Sequence, residues 1–297
     1  MHLNLHLLRM FQAVVEQQGF SRAAEVLHVS QSAVSKGIRE LEYQLDLPLI
    51  ERSAGRGVRL TDGGQALYEH ARGIFAMERA AAEDVRDRVG LRKGRLRVGA
   101  STTIAGYWLP TQLAQFTQRH PDIGFELVVG NTAEVGRAVI DCRVDVGFVE
   151  GTVDDPRIAA TLWKHESLQV AVATASPLGR QRRPSVAELS RQTWLLRESG
   201  SGTRQVAQSL LRSRAIAPRR TIEIGSNEAI ARAVAAAAGV ALLPAVVIAD
   251  LVAMGRVRTL GMGQDDDIQR PLFRLELADR PRSPALQAFV ARMAQED

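Results

Sequence analysis

The chain has 297 residues, 45% of them hydrophobic and 5% aromatic, enough apolar material for two or three modest cores. No apolar run is long enough to span a bilayer, and the opening MHLNLHLLRM reads as an amphipathic helix, not as a signal segment with a cleavage site. The single cysteine, Cys142, excludes an internal disulfide and fits a reducing, cytoplasmic setting; the net charge of +5 suits an anionic partner only weakly.

Leu5 to Gln18 is a helix pattern with Leu7, Leu8, Phe11, Val14 and Val15 on one side, and Gly19 ends it. A second short helix runs from Ser21 to His28, with Ser21 as its expected N-cap and Ala23, Ala24, Val26 and Leu27 as its apolar residues. Ser30 caps a third helix, in which Val34, Ile38, Leu41 and Leu45 form a buried stripe. Gln31, Ser32, Ser35, Lys36 and Arg39 are left on the outer side. PLIERSAGRGVRLT, from Pro48 to Thr61, predicts two short strands near Leu49–Arg52 and Val58–Leu60 around a turn with Gly55, Arg56 and Gly57. Three helices and a basic two-stranded wing make a winged helix-turn-helix over residues 1–61.

Such a module reads DNA with the N-terminal outer face of its third helix. Gln31 can offer a bidentate amide to adenine, and Ser32 and Ser35 can donate to bases or phosphates. Lys36 and Arg39 lie further along, where the helix crosses the backbone. Arg52, Arg56 and Arg59 sit on or beside the wing, near flanking phosphates or the minor groove. Glu40, Glu42, Asp46 and Glu51 keep the surface from being uniformly basic.

One long helix follows over residues 62–90, with Thr61 as N-cap and Asp62 in the first turn. Leu67, Ala71, Ile74, Ala81 and Val85 form a stripe that predicts a dimerisation seam, with Glu78 interrupting it. GLRKGRLRVGAS then marks a linker and the first strand of an α/β region with a largely parallel sheet. Strands are expected at 95–100, 124–129, 144–149, 168–173, 194–197, 221–224, at VALLP and at 273–277, with helices between them and one closing the chain at 284–293. The region reads as two lobes, 95–162 plus 269–297 and 163–268, joined by two crossovers. Ligands in such sheets sit beyond the carboxyl ends of strands. Ser101, Thr102 and Thr103 occupy one such loop; Ser201 and Thr203 occupy another, RESGSGTR, where Gly200 and Gly202 allow close backbone approach to an oxyanion or carboxylate.

The stretch SRAAEVLHVSQSAVSKGIRELEYQLDLPLIERSAGRGVRLTDGG resembles the signature of the LysR-type transcriptional regulators, and the organisation of the whole chain is similar to theirs. The resemblance implies a winged helix-turn-helix head, a linker helix and a two-lobed α/β effector domain similar to a periplasmic binding protein. It implies promoter DNA as partner, approached by Gln31, Ser32, Ser35 and Lys36, with Arg52 and Arg56 by the wing. A small effector would be held by Ser101 to Thr103 and Ser201 to Thr203. It also implies a homotetramer built as a dimer of dimers, and it admits RNA polymerase as a further partner. ASTTIAGYWLP resembles the subgroup that responds to small anions or phosphorylated metabolites in sulfur and carbon assimilation, so an inorganic oxyanion, a carboxylate or a sugar phosphate is the expected effector. The wing departs from the family pattern at Ser53-Ala54-Gly55, which leaves Arg56 as the charged residue at the tip.

Enzyme signatures are missing. The six histidines have no zinc-ligand spacing, Cys142 has no partner for a metal site, and no phosphate loop or nucleophile elbow is present. Neither a metal nor a cofactor is expected. A binding protein with no regulatory role would leave the first 60 residues unexplained, and an enzyme with a DNA-binding head would need a catalytic constellation that this chain lacks.

Overall fold

A computed structural model describes residues 2–51, 57–90, 94–181, 183–261 and 268–293. The chain divides into two units, Met1–Val85 and Arg86–Asp297.

In the first unit, helices α1 (Leu5–Glu16), α2 (Phe20–Leu27) and α3 (Gln31–Leu45) surround one apolar core. Leu8, Phe11, Val14, Val34, Leu41 and Leu49 are buried in it. Burying side chains of this size contributes about 1.5–3 kcal/mol each. Gly37 lets α3 press on α1, since a Cβ there would stand 2.5 Å from the Met10 sulfur. The caps follow the sequence with one exception. Ser30 accepts from the Ala33 N–H at the start of α3. Ser21, expected to cap the second helix, lies inside α2, because the helix starts one residue earlier with Gly19 at the cap. Ile50 and Leu60 form an antiparallel bridge at the base of the wing, supported by Glu51 N–H donating to the Arg59 carbonyl. Arg52 and Arg56 lie outside the described residues.

Helix α4 (Asp62–Gly90) starts at Thr61, whose hydroxyl accepts from the Gly64 N–H and donates to the Pro48 carbonyl. The stripe expected to form a dimer seam divides. Ala71 is buried in the head core with Phe75, and Leu67 packs against that core half-buried. Ile74, Ala81 and Val85 stay exposed.

The second unit is a mixed sheet flanked by helices, not the largely parallel one expected. Strands β1 (Arg95–Ser101), β2 (Gly124–Gly130) and β3 (Val146–Val149) pair in parallel. Strands β4 (Ile158–Ala173), β7 (Ala241–Pro244), β8 (Val257–Leu260) and β9 (Ile268–Leu277) add antiparallel pairings in the order β2-β1-β3-β9-β4-β7, with β8 on β4. Strands β5 (Thr193–Leu196) and β6 (Arg220–Glu223) form a separate parallel pair. β4 and β9 run side by side through both lobes and are the crossovers. The stretch from 158 to 167 is therefore strand, and β8 is an additional strand that the sequence pattern does not reveal.

Lobe I packs α5 (Leu109–Arg119) and α11 (Pro284–Met293) on one face of its sheet, around Phe116, Phe148 and Phe289. Its other face holds α6 (Thr132–Ile140) through Val135 and Val139. Lobe II places α8 (Gly202–Ser213) against Trp194 and Leu196, and packs α9 (Asn227–Ala235) and α10 (Ala245–Ala253) on Ala171, Ala241 and Leu243. The short α7 (Val186–Ser190) precedes β5.

Candidate functional sites: an exposed helix face and an interlobe cleft

On α3, Gln31, Ser32, Lys36 and Arg39 are exposed and Ser35 is half-buried. They line the side opposite Val34, Ile38 and Leu41. Local bonds hold the short side chains in place: Gln31 Nε2 donates to Ser35 Oγ at 3.0 Å, and Ser30 and Ser32 hydroxyls meet at 3.0 Å. Arg39 folds back, its Nε donating to the Ser35 carbonyl at 3.2 Å. Arg59 is exposed at the base of the wing. The face thus presents an amide, hydroxyls and two cations, a set suited to base edges and phosphates.

In the second unit the two loops predicted to bind a ligand come together. Ser101 and Thr103 are buried at the end of β1, and Ser201 and Thr203 are buried at the start of α8. Asn227, at the start of α9, joins them: its Nδ2 donates to Thr103 Oγ1 at 2.8 Å and to Thr203 Oγ1 at 3.1 Å. Thr102 Oγ1 accepts from Arg197 Nη1 at 3.3 Å. Four of the five predicted hydroxyls are therefore engaged or capping, Ser101 by accepting from the Ile104 N–H at 3.2 Å, while Ser201 makes no side-chain cap for α8.

Glycines allow the lobes to touch. A Cβ on Gly202 would stand 2.2 Å from the Glu150 carbonyl oxygen at the end of β3. Gly200 has φ +87°, a left-handed conformation that glycine adopts without strain, and its carbonyl accepts from the Ala133 N–H at the start of α6.

Three charged groups in the cleft escape a reading of the sequence. Arg270, 1% exposed, donates from Nε to Glu166 Oε2 at 2.8 Å and from Nη1 to Thr203 Oγ1 at 2.8 Å. Its Nη2 bonds Glu166 and lies 3.5 Å from Glu150 Oε1. Trp108 Nε1 donates to the other Glu166 oxygen at 2.9 Å. One guanidinium thus stands between two buried carboxylates. Arg270 and Glu166 lie within β9 and β4, where a charged residue ordinarily reads as one facing solvent.

The two arginines that flank RESGSGTR differ in direction. Arg197, 4% exposed, points into the cleft and is paired with Glu198 through Nε at 2.7 Å and Nη2 at 2.8 Å. Burial pushes the Glu198 carboxyl up, but the bonds from Arg197 and its neighbours together outweigh it and hold the group below the usual range. Arg204 staples the loop, donating to the Arg197 carbonyl at 2.6 Å and pairing with Glu223. Two buried oxygens, Thr132 Oγ1 and Asn227 Oδ1, have no partner among the described residues.

One exposed bond also joins the lobes. Tyr107, in a π-helical turn over Ile104–Trp108, donates to Glu228 Oε2 at 2.6 Å. Burial and the Glu228 carboxylate push the phenol up to about 12, and Glu228 is lowered by the phenol bond and by Arg232. Among the described residues no group of His, Cys, Asp and Glu could hold a metal, and no helix is long and apolar enough to cross a membrane.

Residues 5–65 match the bacterial regulatory helix-turn-helix proteins of the lysR family, and residues 90–297 match the LysR substrate binding domain. The HTH-type transcriptional regulator YeiE of Escherichia coli (strain K12) is 33% identical over 290 residues, 98% of this chain and 97% of its own. The RuBisCO operon transcriptional regulator of Allochromatium vinosum is 32% identical over 289 residues, 97% of this chain and 95% of its own. Among solved structures, the CcmR regulatory domain of Synechocystis in complex with 2-PG superposes with a TM-score of 0.63 at 26% identity, over 68% of this chain and 97% of that one. Full-length OxyR of Pseudomonas aeruginosa shares the fold, with a TM-score of 0.66 at 24% identity over 99% of this chain and 95% of that one.

Proposed function

Since the chain belongs to the LysR family of transcriptional regulators, which bind DNA through the head and a small effector through the second region, we propose that its effector is a small anion bound in the interlobe cleft. The observation that carries this is the convergence of Thr102, Thr103 and Thr203 on Arg197, Asn227 and Arg270 from both lobes. The hydroxyls can donate to oxygens that carry charge, and Arg197 can exchange Glu198 for an anion, while Arg270 stays occupied by Glu150 and Glu166. The uncapped start of α8 adds free N–H groups and the positive end of a helix dipole. The CcmR regulatory domain, similar to this region, was solved in complex with 2-PG, which supports a small-molecule effector here.

Binding changes the balance between the lobes. An anion between Thr102 and Thr203 competes with Glu198 for Arg197, and the lobe arrangement shifts by the difference in its affinity for the two arrangements. In this reading residues 1–61 form the head and 62–90 the linker; 95–162 with 269–297 form lobe I, and 163–268 form lobe II. Gln31, Ser32 and Ser35 read bases, while Lys36, Arg39, Arg52, Arg56 and Arg59 hold the backbone. Ile74, Ala81 and Val85 meet a second copy, and two dimers form a tetramer in the cytoplasm, with RNA polymerase as a further partner. The protein performs no catalysis.

Calorimetry against sulfur oxyanions, carboxylates and sugar phosphates tests the effector class. Saturable heat with one class is expected. The absence of binding by any anion would refute it.

A further inference from the structure

A large excess of positive charge lies in lobe II, part of it in the cleft loop already described and part of it beyond that loop. Residues 180–220 contain ten arginines and two glutamates, which leaves 28 basic against 31 acidic residues in the rest of the chain. The head is close to neutral, with seven basic and six acidic residues in positions 1–61. The net positive charge of this DNA-binding protein therefore resides in one stretch of lobe II.

The fold gathers four of these arginines at one end of that lobe. Arg220 begins β6, paired in parallel register with Thr193 at the start of β5. The Arg219 N–H donates to the Ser190 carbonyl at 2.7 Å, which brings Arg219 beside Arg191. The Ala217 N–H donates to Ser190 Oγ at 3.1 Å, and the Ile216 N–H to the Leu211 carbonyl at 2.9 Å, so the last turn of α8 with Arg212 joins the group. All four side chains belong to exposed residues, and none is ion-paired among the described residues. Two carboxylates lie three residues from the cluster: Glu188, bonded by Ser185 and Gln181 and also drawn to Arg191, and Glu223, paired with Arg204. The cleft loops leave the opposite, carboxyl ends of β5 and β6, so this face is separate from the effector site.

An ordinary solvated surface intersperses both signs of charge. Here like charges are drawn together by backbone bonds, which raises the local potential and favours an anionic partner. We propose that this face binds the phosphate backbone of duplex DNA, adding sequence-independent affinity to that of the head. Guanidinium groups match phosphate oxygens in geometry, and a nearly neutral head has little electrostatic attraction of its own for a polyanion.

The test uses the full chain and a random-sequence duplex of about 60 base pairs, with affinity measured across salt concentration. Arg191→Gln, Arg212→Gln and Arg219→Gln combined should lower the log–log salt slope by about 2.7, or 0.9 for each phosphate that is no longer neutralised. The same three positions changed to Lys should restore most of the slope. An unchanged slope in the Gln variant would overturn the proposal, and so would an equal loss in the Lys variant. Light scattering on the same samples separates a protein partner. If the Gln variant dissociates the oligomer, the arginines face a second copy and the DNA assignment falls.

Discussion

Arg270 carries the buried charge at the centre of the cleft. It is one of the largest fully buried side chains and the counter-charge to both Glu150 and Glu166. Arg270→Ala would leave two buried carboxylates uncompensated and should cost about 3–5 kcal/mol, read from urea unfolding of the second unit's transition. Thr102→Val keeps volume and removes one hydroxyl; anion binding should weaken by about 1.5–3 kcal/mol, read by calorimetry, while DNA affinity without ligand stays unchanged. Tyr107 gives a pH signature. Its folded value of about 12 lies above its unfolded 10.0, so its contribution is complete below pH 10 and lost as pH rises towards 12. Glu228 runs the other way, its contribution present above 4.5 and lost as pH falls below it. The stability difference between wild type and Tyr107→Phe should therefore narrow between pH 10 and 12; a difference constant across that window would remove the bond to Glu228 as its source. The hydroxyls of the cleft were legible in the sequence because each follows a strand and opens a helix. Arg270 and Glu166 were not, since their burial depends on strands from distant parts of the chain meeting each other. Asn227 reads as an ordinary first residue of a helix until Thr103 is brought within 2.8 Å of it.

Among the elements, α4 has two roles on two faces. Leu67, Ala71 and Phe75 belong to the head core, while Ile74, Ala81 and Val85 remain exposed. Ile74→Asp should yield a smaller particle in light scattering with unfolding of the head unchanged, and an unchanged particle would exclude this face as the seam. A stripe drawn at helical spacing joined the two faces because the periodicity of a helix does not say which partner covers which residue. The long crossover strands were the hardest elements to read. From Ile158 to His165, β4 is mostly exposed or half-buried and bulged beside Leu162, so it shows neither an apolar run nor clean alternation. It is a strand because β9 pairs with it. In β8 only Val257 and Leu260 are buried, two residues at its ends, too few to mark it. By contrast α1, α3 and the caps at Ser30 and Thr61 were legible, because local bonds and one buried stripe determine them.

At the scale of the molecule, three sites contribute to one equilibrium. The head reads sequence, the cleft takes the effector, and the arginine face of lobe II adds sequence-independent attraction. If the effector alters DNA binding, DNA must alter effector binding by the same factor. The most direct measurement takes the tightest duplex selected from sheared genomic DNA and the anion that gives saturable heat. DNA affinity is measured with and without the anion, and anion affinity with and without the duplex. Equal factors are expected in the two directions, about 5- to 150-fold, which corresponds to a coupling of about 1–3 kcal/mol. An anion that binds the cleft while leaving DNA affinity unchanged would contradict it.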